Sequence, residues 1–127
     1  MPRITDEVLN TYVDEASDRL DDMEYGLLRL EHGMDADQVN AVFRDAHSIK
    51  AGANLLGLGN IERVAHRMEN ILDGLRKDAM PLGDDVVQSL LTAIDVLKEL
   101  VGNVEASEEL DVSPLVRELS ALAERAG

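Results

Sequence analysis

The chain has 127 residues and no cysteine, and 45% of its residues are hydrophobic while only 2% are aromatic. This length gives room for one domain with a single core. A core of Leu, Val, Ile, Ala and Met favours packed helices over a β-sandwich or barrel, and the lack of cysteine excludes a disulfide scaffold and a thiolate metal site. The net charge of −14 argues against nucleic acids and anionic membranes as partners, because no basic surface is available to displace counterions from phosphates.

Apolar residues recur at helical spacing in five segments of the chain. In the first, spacings of four and three put one continuous stripe on a single helix face from Leu9 to Leu30, and Gly33 is the predicted C-terminal stop. Short loops between such stripes favour an all-α fold, an antiparallel four-helix bundle with one additional C-terminal helix. The predicted elements are α1 over residues 5–32, α2 from 35 to 56, α3 from 60 to 75, a loop over 78–83, α4 from 84 or 85 to 101, an acidic connector over 102–112 and α5 over 113–126.

Residues that suit the first turn of a helix mark the predicted helix starts. Asp35, with Gln38 three residues further on, resembles a capping pair for α2. Asn60, at the end of a glycine-rich turn, is the predicted N-cap of α3. The remaining predicted starts are Asp84 or Asp85 as the cap of α4 and, for α5, Ser113 as the cap with Pro114 at the first helical position.

No stretch of the chain approaches the roughly eighteen consecutive apolar residues of a membrane span. The N-terminal segment Met1-Pro2-Arg3-Ile4 also lacks the apolar run of a signal peptide. The sequence therefore predicts a soluble, cytoplasmic protein.

A histidine lies just off the apolar stripe of α2. At about 100° per residue, His47 lies about 100° to one side of Ala46, the centre of the buried face, and Lys50 falls on the same side. On α3, Glu69 lies about 100° from the central Met68 in the same rotational sense. When two helices pack antiparallel, the flanks that lie in the same rotational direction from their buried faces line the same groove. His47 and Glu69 are therefore predicted to edge one shared seam.

The axial register of the two helices agrees with this arrangement. Leu58, near the middle of the turn, is eleven residues from His47 and eleven from Glu69. The two side chains are therefore predicted to lie at the same height, with Lys50 level with His66. Four polar residues from two helices converge by independent rotational and axial criteria.

Such a cluster suits a nucleophilic imidazole. A carboxylate that accepts a hydrogen bond from one ring nitrogen fixes the tautomer and leaves the other nitrogen free to attack phosphorus. Glu69 is the candidate to orient His47 in this way, and Lys50, one turn away, offers positive charge to phosphoryl oxygens. The small residues Ala51 and Gly52 are expected to keep the surface open to a bulky partner domain.

At these residues the chain resembles a histidine-containing phosphotransfer (HPt) domain. More narrowly, it is similar to the N-terminal phosphotransfer domain of a CheA-type chemotaxis sensor histidine kinase. The resemblance covers roughly residues 5–101 and is most specific over 43–78. The family usually has a glycine where this chain has Ala51, and one added methyl is expected to narrow partner choice or slow transfer without abolishing it. The two motifs that carry the resemblance are His-x-x-Lys-Gly, matched by Ala46-His47-Ser48-Ile49-Lys50-Ala51-Gly52, and His-x-x-Glu-Asn, matched by His66-Arg67-Met68-Glu69-Asn70.

The resemblance implies that the ATP-binding domain of a histidine kinase phosphorylates His47, in trans within a dimer. The phosphoryl group would then pass to an aspartate in the receiver domain of a response regulator, as in two-component phosphorelays. Glu69 would be the hydrogen-bonding partner of His47, and Lys50 and His66 would be members of the network. No cofactor or metal is expected in this chain, because ATP and Mg²⁺ would belong to the partner domains. The whole chain is expected to be one HPt domain, a substrate rather than an enzyme, and its end at Gly127 would suit a fragment cut before a linker.

Two other functions stay open at this stage. In a helical docking module the histidine would have no chemical role. A metal-binding bundle needs Glu-x-x-His pairs that point into the core, whereas the acids within reach of His66 lie on a polar face. These acids are Glu62, Glu69 and Asp73.

Overall fold

The structure, a computed structural model, describes residues 5–126, in which every regular element is a helix. This confirms the predicted all-α fold class. Successive helices are joined by short loops, α5 is followed by one more short turn, and the bounds of the helices agree with the predicted ones within a few residues. In chain order they are α1 (Asp6–Leu30), α2 (Ala36–Leu56), α3 (Gly59–Arg76), α4 (Asp84–Gly102), a 3₁₀ turn (Val104–Ala106), α5 (Ser113–Ala123) and a second 3₁₀ turn (Glu124–Ala126).

Helices α1 to α4 form a four-helix bundle. Helix α1 packs against α2 and α4, and α3 packs against the same two helices, so the four close around one core. Helix α5 lies outside this ring against α3 and α4. Each large aliphatic side chain buried in the core contributes about 1.5–3 kcal/mol, and this burial fixes which flank of each helix reaches the surface. None of the helices between residues 5 and 126 is long and apolar enough to cross a membrane.

The first two helices begin as their sequences predict. The side chain of Thr5 accepts a hydrogen bond from the backbone N–H of Val8 at the start of α1. Asp35 caps α2 by accepting from the backbone N–H groups of Asp37 and Gln38. Helix α1 ends at Leu30, two residues earlier than predicted, and Gly33 follows with a φ of 132°, which an L side chain rarely adopts.

The predicted cap of α3 is wrong. The helix begins at Gly59, so Asn60 lies inside its first turn and is only 7% exposed. The helix start is satisfied from elsewhere in the chain, since an oxygen of the Glu108 carboxylate accepts from the backbone N–H of Asn60 at 3.0 Å. A carboxylate at this position also complements the positive end of the helix dipole.

The predicted caps of α4 and α5 are also wrong. Gly83, in extended conformation, precedes α4, and no side chain caps that helix; the Asp85 carboxylate accepts instead from the adjacent backbone N–H of Val86. Ser113 is the first residue of α5 rather than its cap, and its own N–H donates to Asp111. Pro114 is consequently the second residue of α5 rather than the first, although it still lies in the first turn. The α-helix ends at residue 123, where a 3₁₀ turn replaces its last three predicted residues.

The acidic connector is folded against the bundle. The side-chain nitrogen of Asn60 donates to the backbone carbonyls of Ser107 at 2.8 Å and Leu110 at 2.7 Å. Ser107 itself is 1% exposed, and its hydroxyl donates to the carbonyl of Val104. These bonds tie the connector to the first turn of α3, beside the turn that joins α2 to α3.

Candidate functional site

His47 lies on the flank of α2, directly after the fully buried Ala46. Its side chain is 57% exposed, and its Nδ1 lies 3.1 Å from Oε2 of Glu69 on α3. The Glu69 side chain is only 14% exposed, because it lies in the seam between the two helices. The predicted meeting of the two residues across this seam is thus confirmed by the geometry.

Lys50 completes the cluster from one turn further along α2. Its Nζ donates to Oε1 of Glu69 at 3.0 Å and lies 2.8 Å from Oε2 of the same carboxylate. Both oxygens of Glu69 are therefore engaged, one by Lys50 alone and the other by Lys50 and His47. Two cross-helix donors hold the carboxylate in a fixed orientation.

These donors also set the charge of the carboxylate. Partial burial alone would raise the pKa of Glu69, but the hydrogen bonds from Lys50 and His47, together with the positive charge of Lys50, outweigh that effect. The pKa of Glu69 therefore lies below its ordinary value, and the side chain is ionised at neutral pH.

The ionised carboxylate determines which ring nitrogen of His47 is free. A carboxylate without a proton only accepts hydrogen bonds, so Nδ1 must carry the hydrogen that it donates to Glu69. In the neutral ring the lone pair then lies on Nε2. Because more than half of the side chain is exposed, the site presents a nucleophilic nitrogen at the protein surface.

His66 lies beside this network rather than in it. It is exposed and lines a shallow groove with Lys50, Ala51 and Glu62. His66 and Lys50 thus line the same groove, which is compatible with the predicted level of the two residues. Within residues 5–126, however, no hydrogen bond joins His66 to His47 or Glu69. The physical reason is rotational, since His66 lies about 60° further round α3 than Glu69 does.

The two small residues after Lys50 have different surroundings. Ala51 is exposed in the groove, as expected. Gly52 instead faces α1, where an added Cβ would lie 2.5 Å from a ring carbon of Tyr12. The Tyr12 hydroxyl donates to the backbone carbonyl of Ile49, and burial raises the pKa of Tyr12 to about 12. The expectation that Gly52 keeps the surface open is therefore wrong; it permits the close approach of α1 and α2.

Three further residues adjoin the site that sequence reasoning did not place there. The Phe43 ring lies next to that of His47, with 6.4 Å between the centroids and 18° between the planes. The guanidinium carbon of Arg76 lies 4.0 Å from the centroid of the Phe43 ring, and its Nε donates to Asp73 at 2.8 Å. Helical spacing carries the signal: Phe43 is four residues before His47, and Asp73 and Arg76 follow Glu69 at four and seven residues.

A metal centre has no ligand set in the described part of the chain. Between residues 5 and 126, no group of three or more His, Cys, Asp or Glu side chains is placed to hold a metal ion. The histidine, carboxylate and lysine of the seam are instead paired with one another.

The profile of the Hpt domain family matches residues 7–107 of the chain. The chain belongs to the Hpt domain family. It is 41% identical to the chemotaxis protein CheA of Salmonella typhimurium over 104 residues, which are 81% of this chain and 16% of that protein. It is also 36% identical to the chemotaxis protein CheA of Rhizobium meliloti over 121 residues, which are 92% of this chain and 16% of that protein. This Hpt domain thus spans 16% of the length of either relative.

Solved structures with a similar fold are phosphotransfer domains. The phosphorylated P1 domain of CheA3 in complex with CheY6 from R. sphaeroides superposes with a TM-score of 0.84 at 29% identity, covering 97% of this chain and all of that one. The CheA phosphotransferase domain from Thermotoga maritima superposes with a TM-score of 0.74 at 28% identity, covering 77% of this chain and 94% of that one. The chain is thus similar to CheA phosphotransfer domains in sequence and in fold.

Proposed function

We propose that this Hpt domain carries a phosphoryl group on Nε2 of His47, accepting it from a histidine kinase and passing it to a receiver-domain aspartate. The observation that carries this proposal is the contact between Nδ1 of His47 and the Glu69 carboxylate. In the neutral ring that contact leaves the lone pair on the other nitrogen, on an exposed side chain. A neutral imidazole nitrogen of this kind is the nucleophile that phosphoryl transfer requires.

In the first step the Nε2 lone pair attacks the γ-phosphorus of ATP. The bond from that phosphorus to the bridging oxygen of ADP breaks, and an N–P bond forms. The ring becomes cationic while Nδ1 keeps its hydrogen, so the negative charge of Glu69 stabilises the positive charge that develops on the ring. Lys50 holds Glu69 in place and presents positive charge near the transferred group.

In the second step an aspartate oxygen attacks the phosphorus and the N–P bond breaks. The electron pair returns to Nε2, and the ring is restored to its starting protonation state. ATP and Mg²⁺ are supplied by the partner domains, which makes this domain a carrier rather than a catalyst. Because such a relay begins with ATP, the proposal also places the domain in the cytoplasm.

The relatives support both kinds of partner. The CheA proteins are about six times longer than the stretch they share with this chain, which leaves room for a kinase domain in the same polypeptide. The R. sphaeroides P1 domain is phosphorylated and bound to CheY6, which supports a response-regulator receiver as the acceptor. A chemotaxis pathway is the setting that these relatives favour.

The test is radiolabel transfer from ATP by the catalytic portion of a CheA-type kinase. Wild type should take up acid-labile, base-stable phosphate, His47→Gln should take up none, and His66→Gln is the matched control that keeps the site nucleophile. Subsequent addition of a receiver domain with Mg²⁺ should remove the label. The domain mixed with ATP and Mg²⁺ alone should stay unlabelled, because its sequence contains no G-x-x-x-x-G-K-[ST] phosphate-binding loop.

Persistent labelling of His47→Gln would refute the assignment of the phosphorylation site. Equal partner binding by wild type and His47→Gln, with no labelling of either, would favour the docking module instead.

A further inference from the structure

A single hydrogen bond fixes one atom of the His47 ring but not the plane of the ring. The Nδ1 contact with Glu69 holds one edge in place. The side chain is 57% exposed, so a ring held at one edge retains room to swing about that contact. A second contact is needed to direct Nε2 consistently towards an incoming phosphorus.

Phe43 provides a planar surface beside the imidazole. Its ring lies one turn before His47 on α2, with the two planes 18° from parallel and the centroids 6.4 Å apart. This separation is within the range of offset aromatic stacking. Phe43 is half-buried and packs against the core, so its ring is held more firmly than the exposed imidazole.

Arg76 holds the Phe43 ring from α3. Its guanidinium carbon lies 4.0 Å from the ring centroid, well within cation–π distance. The guanidinium is itself held, because its Nε donates to Asp73 at 2.8 Å. The hydrogen bonds from Lys77 and Arg76 lower the pKa of Asp73, which keeps it ionised.

Both constraints on the His47 ring thus come from one face of α3. Glu69 acts directly on Nδ1, and Arg76, seven residues further along, acts through Phe43. Glu69 and Arg76 are about two helical turns apart on α3, and the residues that they contact on α2, His47 and Phe43, are about one turn apart. Glu69 thus contacts one edge of the His47 ring, and Arg76 covers the Phe43 ring that lies beside it.

We propose that Arg76 is a positioning residue for phosphotransfer. By stacking on Phe43 it keeps the aromatic surface against His47 and so maintains the direction of Nε2. The inference rests on the proposed function of His47, and it adds Phe43 and Arg76 to the residues that set the rate.

The experiment uses phosphoramidate, a small phosphoryl donor that needs no partner domain. Nε2 attacks its phosphorus, the P–N bond to ammonia breaks, and the rate reports on the imidazole alone. We expect Arg76→Gln to slow labelling of His47 about two- to fivefold, and Phe43→Leu up to about tenfold. Arg76→Lys, which keeps a cation over the ring, should retain most of the rate.

Lys77→Gln is the matched control. It removes a cation from the other oxygen of Asp73 but leaves the Arg76–Asp73 hydrogen bond and the contact of Arg76 with the Phe43 ring, so its rate should lie closer to wild type than that of Arg76→Gln. Thermal unfolding of each variant excludes a general loss of structure. In proton NMR, nuclear Overhauser contacts between the rings of residues 43 and 47 should weaken in Arg76→Gln and persist in Lys77→Gln.

Three results would overturn the inference. The first is phosphoramidate labelling of Arg76→Gln at the wild-type rate, and the second is slowing of Lys77→Gln by as much as Arg76→Gln. The third is a higher KM of Arg76→Gln in the kinase reaction with no change in its phosphoramidate labelling. The last result would make Arg76 a partner contact. Wild-type labelling that depends on His47 leaves the proposed function intact in each case, whereas labelling of His47→Gln would refute that function itself.

Discussion

Replacing Glu69 with glutamine tests the centre of the mechanism, because the change keeps the size of the side chain and removes only its charge. The carboxylate receives His47 on one oxygen and Lys50 on both. An amide has one oxygen that accepts and one nitrogen that only donates. Glutamine can therefore satisfy one of its two partners but must turn a donor towards the other.

The size of the effect follows from the lost interaction. A hydrogen bond to a charged group contributes about 1.5–3 kcal/mol. If this contribution is realised as the ring becomes cationic, each 1.36 kcal/mol changes the rate about tenfold. We therefore expect phosphorylation of Glu69→Gln to be about 10- to 100-fold slower. The protein should stay folded but lose about 1–3 kcal/mol of stability, because the Glu69 side chain is only 14% exposed and one of its donors loses its acceptor.

The assay compares initial rates of labelling by the kinase and by phosphoramidate. Glu62→Gln is the control, because it makes the same change on the same helix without contacting His47. Circular dichroism melting curves establish that all three proteins are folded. A folded Glu69→Gln that is labelled within about twofold of the wild-type rate by both donors would refute the role given to the carboxylate.

Three further predictions concern stability. The pKa of Glu69 is lowered in the folded state, so its contribution to stability is present above its unfolded pKa of about 4.3 and is lost as the pH falls through the folded value. The difference in stability between wild type and Glu69→Gln should therefore shrink below about pH 4.3 in denaturant titrations. A difference that grows below this pH would contradict the lowered pKa. Gly52→Ala should lower the stability by about 1–3 kcal/mol, because the new Cβ would lie 2.5 Å from Tyr12. Ala51→Gly, in the open groove, should cost about 1 kcal/mol or less. Equal melting temperatures of wild type and Gly52→Ala would show that α1 and α2 can separate freely. Asn60→Ala should lower the stability by about 1–3 kcal/mol, because two backbone carbonyls lose their donor. The rate of phosphoramidate labelling per folded molecule should be unchanged. An unaltered unfolding curve would show that water replaces the side chain.

Helical periodicity predicts the meeting of His47 and Glu69 because it fixes both rotation and height. Each residue lies one position from the buried centre of its helix, and each is eleven residues from Leu58. An antiparallel pair with a short turn admits little freedom in register. The burial pattern of α2 and α3 is therefore enough to bring the nucleophile and its carboxylate to one seam.

What the periodicity did not predict depends on contacts that are distant in sequence. Asn60 has the residue type and position of an N-cap, yet Glu108, 48 residues away, accepts the N–H that a local cap would leave free. Asn60 is thereby released to bind the connector carbonyls. Arg76 and Phe43 look like a surface cation and a core residue by their spacing, and only the packing of α3 on α2 brings them together. At α3 the local capping rule therefore fails because a distant segment covers the helix start.

The anchoring of residues 107–110 on Asn60 determines how long a segment must be transferred if this phosphoacceptor domain is grafted into another protein. A designer who transplants only the four bundle helices would leave behind the carbonyls that Asn60 binds and the carboxylate that covers the first turn of α3. The Asn60 amide, without these partners, would then be free to bind groups of the turn between α2 and α3. The length of that turn aligns His47 with Glu69. A graft that includes the connector as far as Leu110 keeps the partners of Asn60 and therefore keeps that alignment in a new host.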